Sequence, residues 1–118
     1  MKKWQILENA TTYKHSICIA KCTKNDANMT IIVAQAADEL LNISDISCAF
    51  ILCDMGGSVQ ISARSLGNYN IQIIMEKLGG GGHLTMAATQ LHNVDLDEAE
   101  AMLKKAIDEY LHENKIKD

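Results

Sequence analysis

Apolar residues along this chain recur with two different periods, which predict a mixture of strands and helices. Three segments have the pattern of β-strands: residues 16–22, 48–53 and 58–65. Residues 48–53 are almost continuously apolar, as expected of a central strand that is covered on both faces. The pair Gly56-Gly57 separates this run from the alternating segment 58–65, so the two strands are predicted to form a tight hairpin.

Two other segments repeat apolar residues every three or four positions, which is the spacing of a helix with one buried face. Residues 29–41 form the first of them, with Asn28 as a candidate cap. Residues 71–78 form the second, which Asn70 can cap and Gly79 can end in the left-handed conformation.

The last part of the chain predicts one more strand and one more helix. A short strand is expected over residues 87–94, and a helix is expected to begin at Asp95 because Glu98 completes a capping box. The element order is therefore β-α-β-β-α-(glycine loop)-β-α, with one clear hairpin. This order predicts an α/β fold, a single domain with a mixed β-sheet flanked by helices.

Length, charge and hydropathy narrow the class of protein. The 118 residues are predicted to form a linker or N-terminal arm (1–14), one domain (15–113) and a tail (114–118). A formal net charge of −4 disfavours a surface that wraps long nucleic acid but allows a small phosphorylated ligand. No apolar run is long enough to cross a membrane, so this segment is predicted to be soluble, cytoplasmic and without direct membrane contact.

The four cysteines are predicted to pack rather than to react. Cys18, Cys22, Cys48 and Cys53 lie in apolar, strand-like runs and include no C-x-x-C pair. They are typical of small core residues in a reduced cytosolic protein. No histidine and cysteine cluster has the spacing of zinc ligands.

Four consecutive glycines, residues 79–82, are followed directly by His83. Gly79 is explained as a helix stop, whereas the other three glycines are not. They follow a helix rather than a strand and lack the Gly-Lys-Ser/Thr ending, so neither a dinucleotide fingerprint nor a P-loop fits. Two interpretations remain open: a nest of amides that holds phosphate oxygens with help from His83, or a mobile connector.

Arg64 is the only arginine of the chain and shares the polar face of its predicted strand with Gln60 and Ser62. The guanidinium group suits bidentate recognition of phosphate, although a surface ion pair is the commoner role of an arginine. For His83 taken alone, a structural hydrogen bond and a ligand contact both remain open.

Several of these motifs occur in the order of a known domain. The pair Arg64-Ser65, then Asn70-Ile71, then the glycine tetrad with His83 and the pair Ala87-Ala88 resemble the DHHA1 domain. This is the C-terminal, substrate-binding domain of DHH-family phosphoesterases. The resemblance covers roughly residues 13–112 and is strongest to the membrane-anchored cyclic di-AMP phosphodiesterases of the GdpP/YybT type.

The resemblance implies a set of substrate-binding residues. Those expected to contact a substrate phosphate or base are Arg64, Ser65, Gly80, Gly81, Gly82 and His83. Asn70 is expected to serve as a helix cap instead. In the family an N-terminal DHH domain carries Asp and His ligands for two manganese ions, which activate water against a phosphodiester. The DHHA1 domain closes over the cleft and holds the nucleotide.

The sequence departs from the family pattern in two respects. It has no Asp-His-His motif and no set of acidic residues with metal-site spacing. Residue 1 is therefore expected to begin a fragment that has no catalytic residue, no metal site and no cofactor, with Mn²⁺ held by the missing DHH domain. Thr89 follows the alanine pair at a position where many relatives have glycine.

The implied function is the substrate-binding part of a manganese-dependent enzyme that hydrolyses cyclic di-AMP to linear pApA. The fragment itself is expected to be inactive. Implied partners are a cyclic dinucleotide or short oligonucleotide, the DHH domain of the same parent chain and, in a homodimer, a second copy. Upstream helices would anchor the parent to the cell membrane. Two alternatives stay open: a nucleic-acid-binding DHHA1 module, as in exonucleases or oligoribonuclease-like proteins, and a packing or dimerisation domain whose exposed glycine loop binds nothing.

Overall fold

A computed structural model describes residues 2–23 and 28–116 as four helices and six strands. In chain order the elements are α1 (Lys3–Glu8), β1 (Thr11–Tyr13), β2 (Ile17–Thr23), α2 (Met29–Leu40), β3 (Cys48–Asp54), β4 (Ser58–Ser65), α3 (Ile71–Lys77), β5 (Gly81–Gly82), β6 (Met86–His92) and α4 (Leu96–Glu113).

All six strands form one mixed sheet with the order β1-β2-β3-β4-β6-β5. Strands β2 and β3 are parallel and α2 is the crossover between them, whereas every other neighbouring pair is antiparallel. The predicted hairpin joins β3 to β4, and both Gly56 and Gly57 have the positive φ that its tight turn requires. The α/β fold with a mixed sheet flanked by helices is thus confirmed.

The sheet has an apolar cluster on each face. Phe50 and Ile61 point to one face, where α3 and α4 supply residues such as Ile74 and Leu103. Ile51 points to the other face, together with the buried residues of α1 and α2. Because β3 contributes to both clusters, its first six residues are buried, as its continuous apolar run predicted.

The predicted helix ends are mostly confirmed. The Asn70 side chain accepts a hydrogen bond from the backbone N–H of Gln72 at 3.2 Å. Asp95 and Glu98 form the reciprocal bonds of a capping box. Asn28 does occupy the position before α2, but its side chain makes no capping hydrogen bond there.

The N-terminal segment differs from the linker or loosely attached arm that the sequence predicted for residues 1–14. Its described part forms α1 and β1, and β1 pairs with β2 along the edge of the sheet. Ile6 is completely buried, and the Asn9 amide bonds both the N–H and the C=O of Lys21. The periodicity is weak because α1 has only six residues, among which Ile6 alone is buried.

The predicted tail also contacts the domain in part. Ile116 packs against the cluster of α3 and α4, and its backbone N–H donates to Leu111 at 2.9 Å. Residues 117 and 118, which belong to the same predicted tail, lie outside the described residues.

Removing the buried side chain of α1 tests whether this helix is part of the folded domain. We expect Ile6→Ala to lower the free energy of unfolding by about 2–5 kcal/mol, because it leaves a cavity in the cluster beneath α1 and α2. Ile31→Ala is the matched control, since Ile31 also lies on a helix but is 60% exposed. Urea unfolding of both variants measures the difference, and equal stabilities would mean that α1 is not docked as described.

Candidate functional site

A cavity of about 660 Å³ lies between α2 and the half of the sheet formed by β4, β6 and β5. Helix α2 lies over β3 and β4, so it shields the middle of this sheet face. Farther along the same face, the strands line the cavity together with the segment that connects β5 to β6. The concave space thus forms where the helical layer ends and the sheet continues.

The cavity floor consists of Ser62, Ala88 and Gly81, which are direct neighbours across three strands. Ser62 also pairs with Ile51 of β3, whose side chain is fully buried beneath the helices. Residues paired in this way point to the same face of a sheet. Side-chain size therefore falls from Ile51 to Ser62, Ala88 and Gly81, and this decrease gives the cavity its depth.

Arg64 follows Ser62 on the same face of β4 and brings a positive charge to the cavity wall. Its Nη1 donates to the carbonyl of Ala63 at 3.0 Å. Within residues 2–23 and 28–116, no carboxylate lies at ion-pair distance from its guanidinium group. Five lysines, in contrast, each pair with at least one acid: Lys3, Lys14, Lys21, Lys77 and Lys104. The common role of an arginine in a surface ion pair thus does not apply among the described residues.

The glycine tetrad forms a helix stop and an edge strand. Gly79 follows the end of α3 with φ +84°, so its predicted left-handed conformation is confirmed. Gly81 and Gly82 form β5, which pairs with Ala88 and Ala87 of β6. This half of the tetrad is therefore an edge strand and not part of the irregular loop that the sequence predicted.

Gly80 and Gly82 lack side chains because the tetrad lies directly against β6. A Cβ atom at Gly80 would overlap the carbonyl oxygen of Ala88 and lie 2.5 Å from Cβ of Thr89. A Cβ atom at Gly82 would lie 2.5 Å from the backbone of Ala87. These distances are too short for real contacts, so strand packing alone accounts for both glycines.

Gly81 is different, since a Cβ atom there would meet no other atom within 4 Å. Its φ lies outside the left-handed region, and the residue lines the cavity. The fold therefore accommodates a side chain at this position. The missing side chain instead leaves space for a ligand to approach the backbone closely.

His83 lies at the rim of the cavity, where its backbone N–H donates to the carbonyl of Met86 at 2.6 Å. Met86 in turn is the β6 residue that pairs with Arg64. This connection holds the histidine and the arginine at the same end of the cavity. The His83 residue is exposed, and among the described residues its imidazole has no hydrogen-bond partner.

Ser65 and Gly80 do not line the cavity. The buried hydroxyl of Ser65 donates to the carbonyl of Tyr69 at 2.8 Å and accepts from the N–H of Gly67 at 3.0 Å. It therefore stabilises the turn between β4 and α3. Of the six residues that the resemblance selected, the structure brings Arg64, Gly81, Gly82 and His83 together.

The sequence model of the DHHA1 domain matches residues 14–113, which is most of the chain. The chain belongs to the DHHA1 domain family. It is 46% identical over 116 residues to a cyclic-di-AMP phosphodiesterase, GdpP, of Geobacillus thermodenitrificans, and the match covers 98% of this chain and 18% of that protein. It is 44% identical over 107 residues to the cyclic-di-AMP phosphodiesterase PdeA of Listeria monocytogenes, covering 90% of this chain and 16% of that one. This DHHA1 domain thus spans less than a fifth of the length of these relatives.

The fold also recurs in a solved structure, an exopolyphosphatase-related protein from Bacteroides fragilis. The TM-score is 0.78 at 19% sequence identity, and the match covers 92% of this chain and 33% of that one. At this identity the likeness concerns the fold alone.

The cavity also has an apolar wall, which the sequence analysis did not predict as part of a site. This apolar wall consists of Met29, Val33 and Met55. Met29 and Val33 repeat with helical spacing, which marks a buried stripe but gives no sign that part of the stripe faces a cavity. Gln60 and Ser62 were recognised only as neighbours of Arg64 on the polar face, and strand alternation is the signal that connects all three to the site.

Thr89, which belongs to β6, anchors the glycine tetrad to the end of α3. Its hydroxyl donates to the carbonyl of Leu78 at 2.9 Å, at the end of α3. Its Cα and Cβ atoms lie next to Gly80. The residue therefore fixes the point where the chain leaves the helix and joins the edge of the sheet.

The four cysteines of this DHHA1 domain all lie within the described residues, where they are buried and form no disulfide bond. Cys22 and Cys53 are direct partners on the parallel strands β2 and β3, and Cys53 lines the cavity. A hydrogen bond to Cys53, together with burial, raises the pKa of the Cys22 thiol. Burial likewise raises the pKa of Cys18. The prediction that cysteines pack rather than react is in line with these neutral thiols.

Neither a metal cluster nor a membrane helix occurs in the part of the chain that the structure describes. Among these residues, no three or more side chains of His, Cys, Asp or Glu are grouped so that they could hold a metal ion. No helix formed by them is long and apolar enough to cross a membrane.

Two alanine substitutions separate the glycine that the fold requires from the one that it does not. We expect Gly80→Ala to destabilise the domain by about 1–3 kcal/mol, because the added methyl group overlaps β6. Gly81→Ala is expected to change the stability by less than about 0.5 kcal/mol. Thermal and urea unfolding measure both variants. A Gly81→Ala variant as unstable as Gly80→Ala would show that the fold itself requires glycine at position 81.

Thiol chemistry tests the burial of the cysteine pair. We expect Cys22 of the folded chain to react with iodoacetamide roughly 100-fold more slowly than in the urea-unfolded chain, because its raised pKa leaves few thiolates and its burial requires local opening. Peptide mass spectrometry after timed alkylation measures each site. Comparable rates for Cys22 in the folded and unfolded chains would contradict its burial and raised pKa.

Proposed function

We propose that this DHHA1 domain binds the substrate of a cyclic-di-AMP phosphodiesterase that produces linear pApA. The observation that carries the proposal is Arg64, a guanidinium group without an acidic partner among the described residues, in a cavity that also contains His83 and Gly81. The names of the relatives from Geobacillus and Listeria support the choice of substrate.

The chemistry of this end of the cavity favours a phosphate group. A guanidinium group presents parallel N–H donors that match two oxygens of a phosphate. The His83 imidazole can add a further hydrogen bond, and Gly81 leaves its backbone open to close approach. The volume of about 660 Å³ lies in the range usual for small-molecule sites.

The proposal divides binding and hydrolysis between two domains of a longer enzyme. A DHH domain of the same parent chain would hold Mn²⁺, which activates water for attack on a phosphodiester. The share of the relatives that this domain covers, 16–18%, leaves ample length for such a partner. In this division Arg64 and His83 hold and orient the phosphate, and no residue of this chain performs the chemical step. A homodimer and a membrane anchor of the parent remain part of the same proposal.

Calorimetry with linear pApA tests the assignment of Arg64. We expect Arg64→Ala to weaken binding by about 10-fold to 100-fold, since a hydrogen bond to a charged group contributes roughly 1.5–3 kcal/mol. The matched control is Lys115→Ala, which removes one positive charge from an exposed residue beyond α4. His83→Ala is expected to have a smaller effect of the same sign.

The outcomes separate the proposed site from its competitors. Unchanged affinity in both Arg64→Ala and His83→Ala would place the phosphate elsewhere. Binding to single-stranded RNA that exceeds binding to pApA and falls steeply with salt would favour a nucleic-acid-binding module, since each phosphate contact adds to the salt dependence. Hydrolysis of cyclic di-AMP by this chain with Mn²⁺ would contradict the division of roles.

A further inference from the structure

The cavity has two chemically different ends, which strand β4 connects. Gln60, Ser62 and Arg64 all point into it from alternate positions of this strand. At about 3.3 Å per residue, the Cα atoms of Gln60 and Arg64 are separated by about 13 Å. A ligand that touches both residues must therefore be elongated, with its anionic group at the Arg64 end.

The Gln60 end is formed by the apolar wall and by Cys53. Cys53 pairs directly with Gln60 across β3 and β4, and Met55 follows at the adjoining hairpin. Met29 begins α2 and belongs to the same apolar cluster as Cys53. Thioether groups make favourable contacts with aromatic rings, so this end suits a flat heteroaromatic ring.

Gln60 is the polar group at this apolar end. Among the described residues its carboxamide has no hydrogen-bond partner, although it lies in the middle of the sheet. Gln90, which pairs with Gln60 on the neighbouring strand β6, does have a hydrogen-bond partner. The Nε2 of Gln90 donates to Oγ of Ser58 at 3.1 Å. A carboxamide offers one acceptor and two donor hydrogens side by side. That pair matches the N6 amino group and the N1 ring nitrogen, which are adjacent on the Watson–Crick edge of adenine.

We infer that Gln60 selects adenine as the base of the bound nucleotide. The inference rests on the proposed function, in which Arg64 binds the phosphate. The base lies against the apolar wall with its edge turned to the Gln60 carboxamide, and the ribose spans the floor at Ser62. Gln60 is thus a specificity-determining residue, whereas Arg64 contributes equally to binding of every nucleotide.

Replacement of the Gln60 amide by a carboxylate changes the hydrogen-bonding groups at position 60 from a donor and an acceptor to acceptors alone. A carboxylate only accepts hydrogen bonds, so it loses the bond to N1 of adenine. It matches instead the two adjacent donors of guanine, N1–H and the N2 amino group. We expect Gln60→Glu to shift the ratio of affinities for pApA and pGpG at least about tenfold towards pGpG. Gln60→Leu is expected to bring the two affinities close to each other.

Gln90→Glu is the matched control, because it places the same charge on the neighbouring strand in the same row, outside the cavity. Its ratio of affinities should equal that of the unmodified chain. Calorimetry with both dinucleotides on the full 118-residue chain gives the ratios, and thermal unfolding confirms that each variant is folded.

The results distinguish the failure of this inference from the failure of the proposed function. In one outcome Arg64→Ala weakens the binding of both dinucleotides, but Gln60→Glu and Gln60→Leu have the same ratio of affinities as Gln90→Glu. The proposed function then holds and the role of Gln60 is refuted. If the unmodified chain binds neither dinucleotide, both are refuted. A shifted ratio for the Gln60 variants together with a uniform loss in Arg64→Ala supports both.

Discussion

The close pairing of the glycine strand β5 with β6 is the contact on which the candidate site depends. The chain leaves α3 at Gly79 and meets β6 at once, which is possible because Gly80 and Gly82 place no side chain between the two backbones. The Thr89 hydroxyl holds the helix end at this point. The segment that follows carries His83 to the same end of the cavity as Arg64. Side chains at positions 80 and 82 would push this segment, and with it His83, away from the sheet.

The cavity itself follows from unequal cover on the two faces of the sheet. The face towards α3 and α4 is covered by large buried side chains, such as Phe50 of β3 and Met75 of α3. On the other face, apolar residues end at Ile51 and small residues continue the row to Gly81. Each small residue forgoes roughly 25 cal/mol of stabilisation for every Å² of apolar surface that a larger side chain would bury. The domain thus retains an open space that packing alone would fill.

Periodicity in the sequence was sufficient for most of the fold, because β3, β4, α2 and α4 are long enough for their patterns to be recognised. It failed for α1, whose six residues include one buried position. It also failed for β5, since glycines carry no pattern of apolar and polar side chains. Strand alternation placed Arg64 with Gln60 and Ser62. The decrease in side-chain size across the floor depends on strand register, which the sequence of a single strand does not contain.

Charge distribution explains how an acidic domain can present the proposed site for an anion. The chain has a formal net charge of −4, yet many of its acids are paired with lysines away from the cavity. Glu100 is an example, because hydrogen bonds from Lys21 and Lys104 lower the pKa of its carboxyl group. Attraction of a ligand is therefore local to Arg64 and screened beyond about 8 Å at physiological salt. A polynucleotide would need several such cations along its path, whereas one arginine beside an imidazole suits a ligand with one or two phosphates. This balance of charges favours a small nucleotide over a long nucleic acid in the proposed role of the domain.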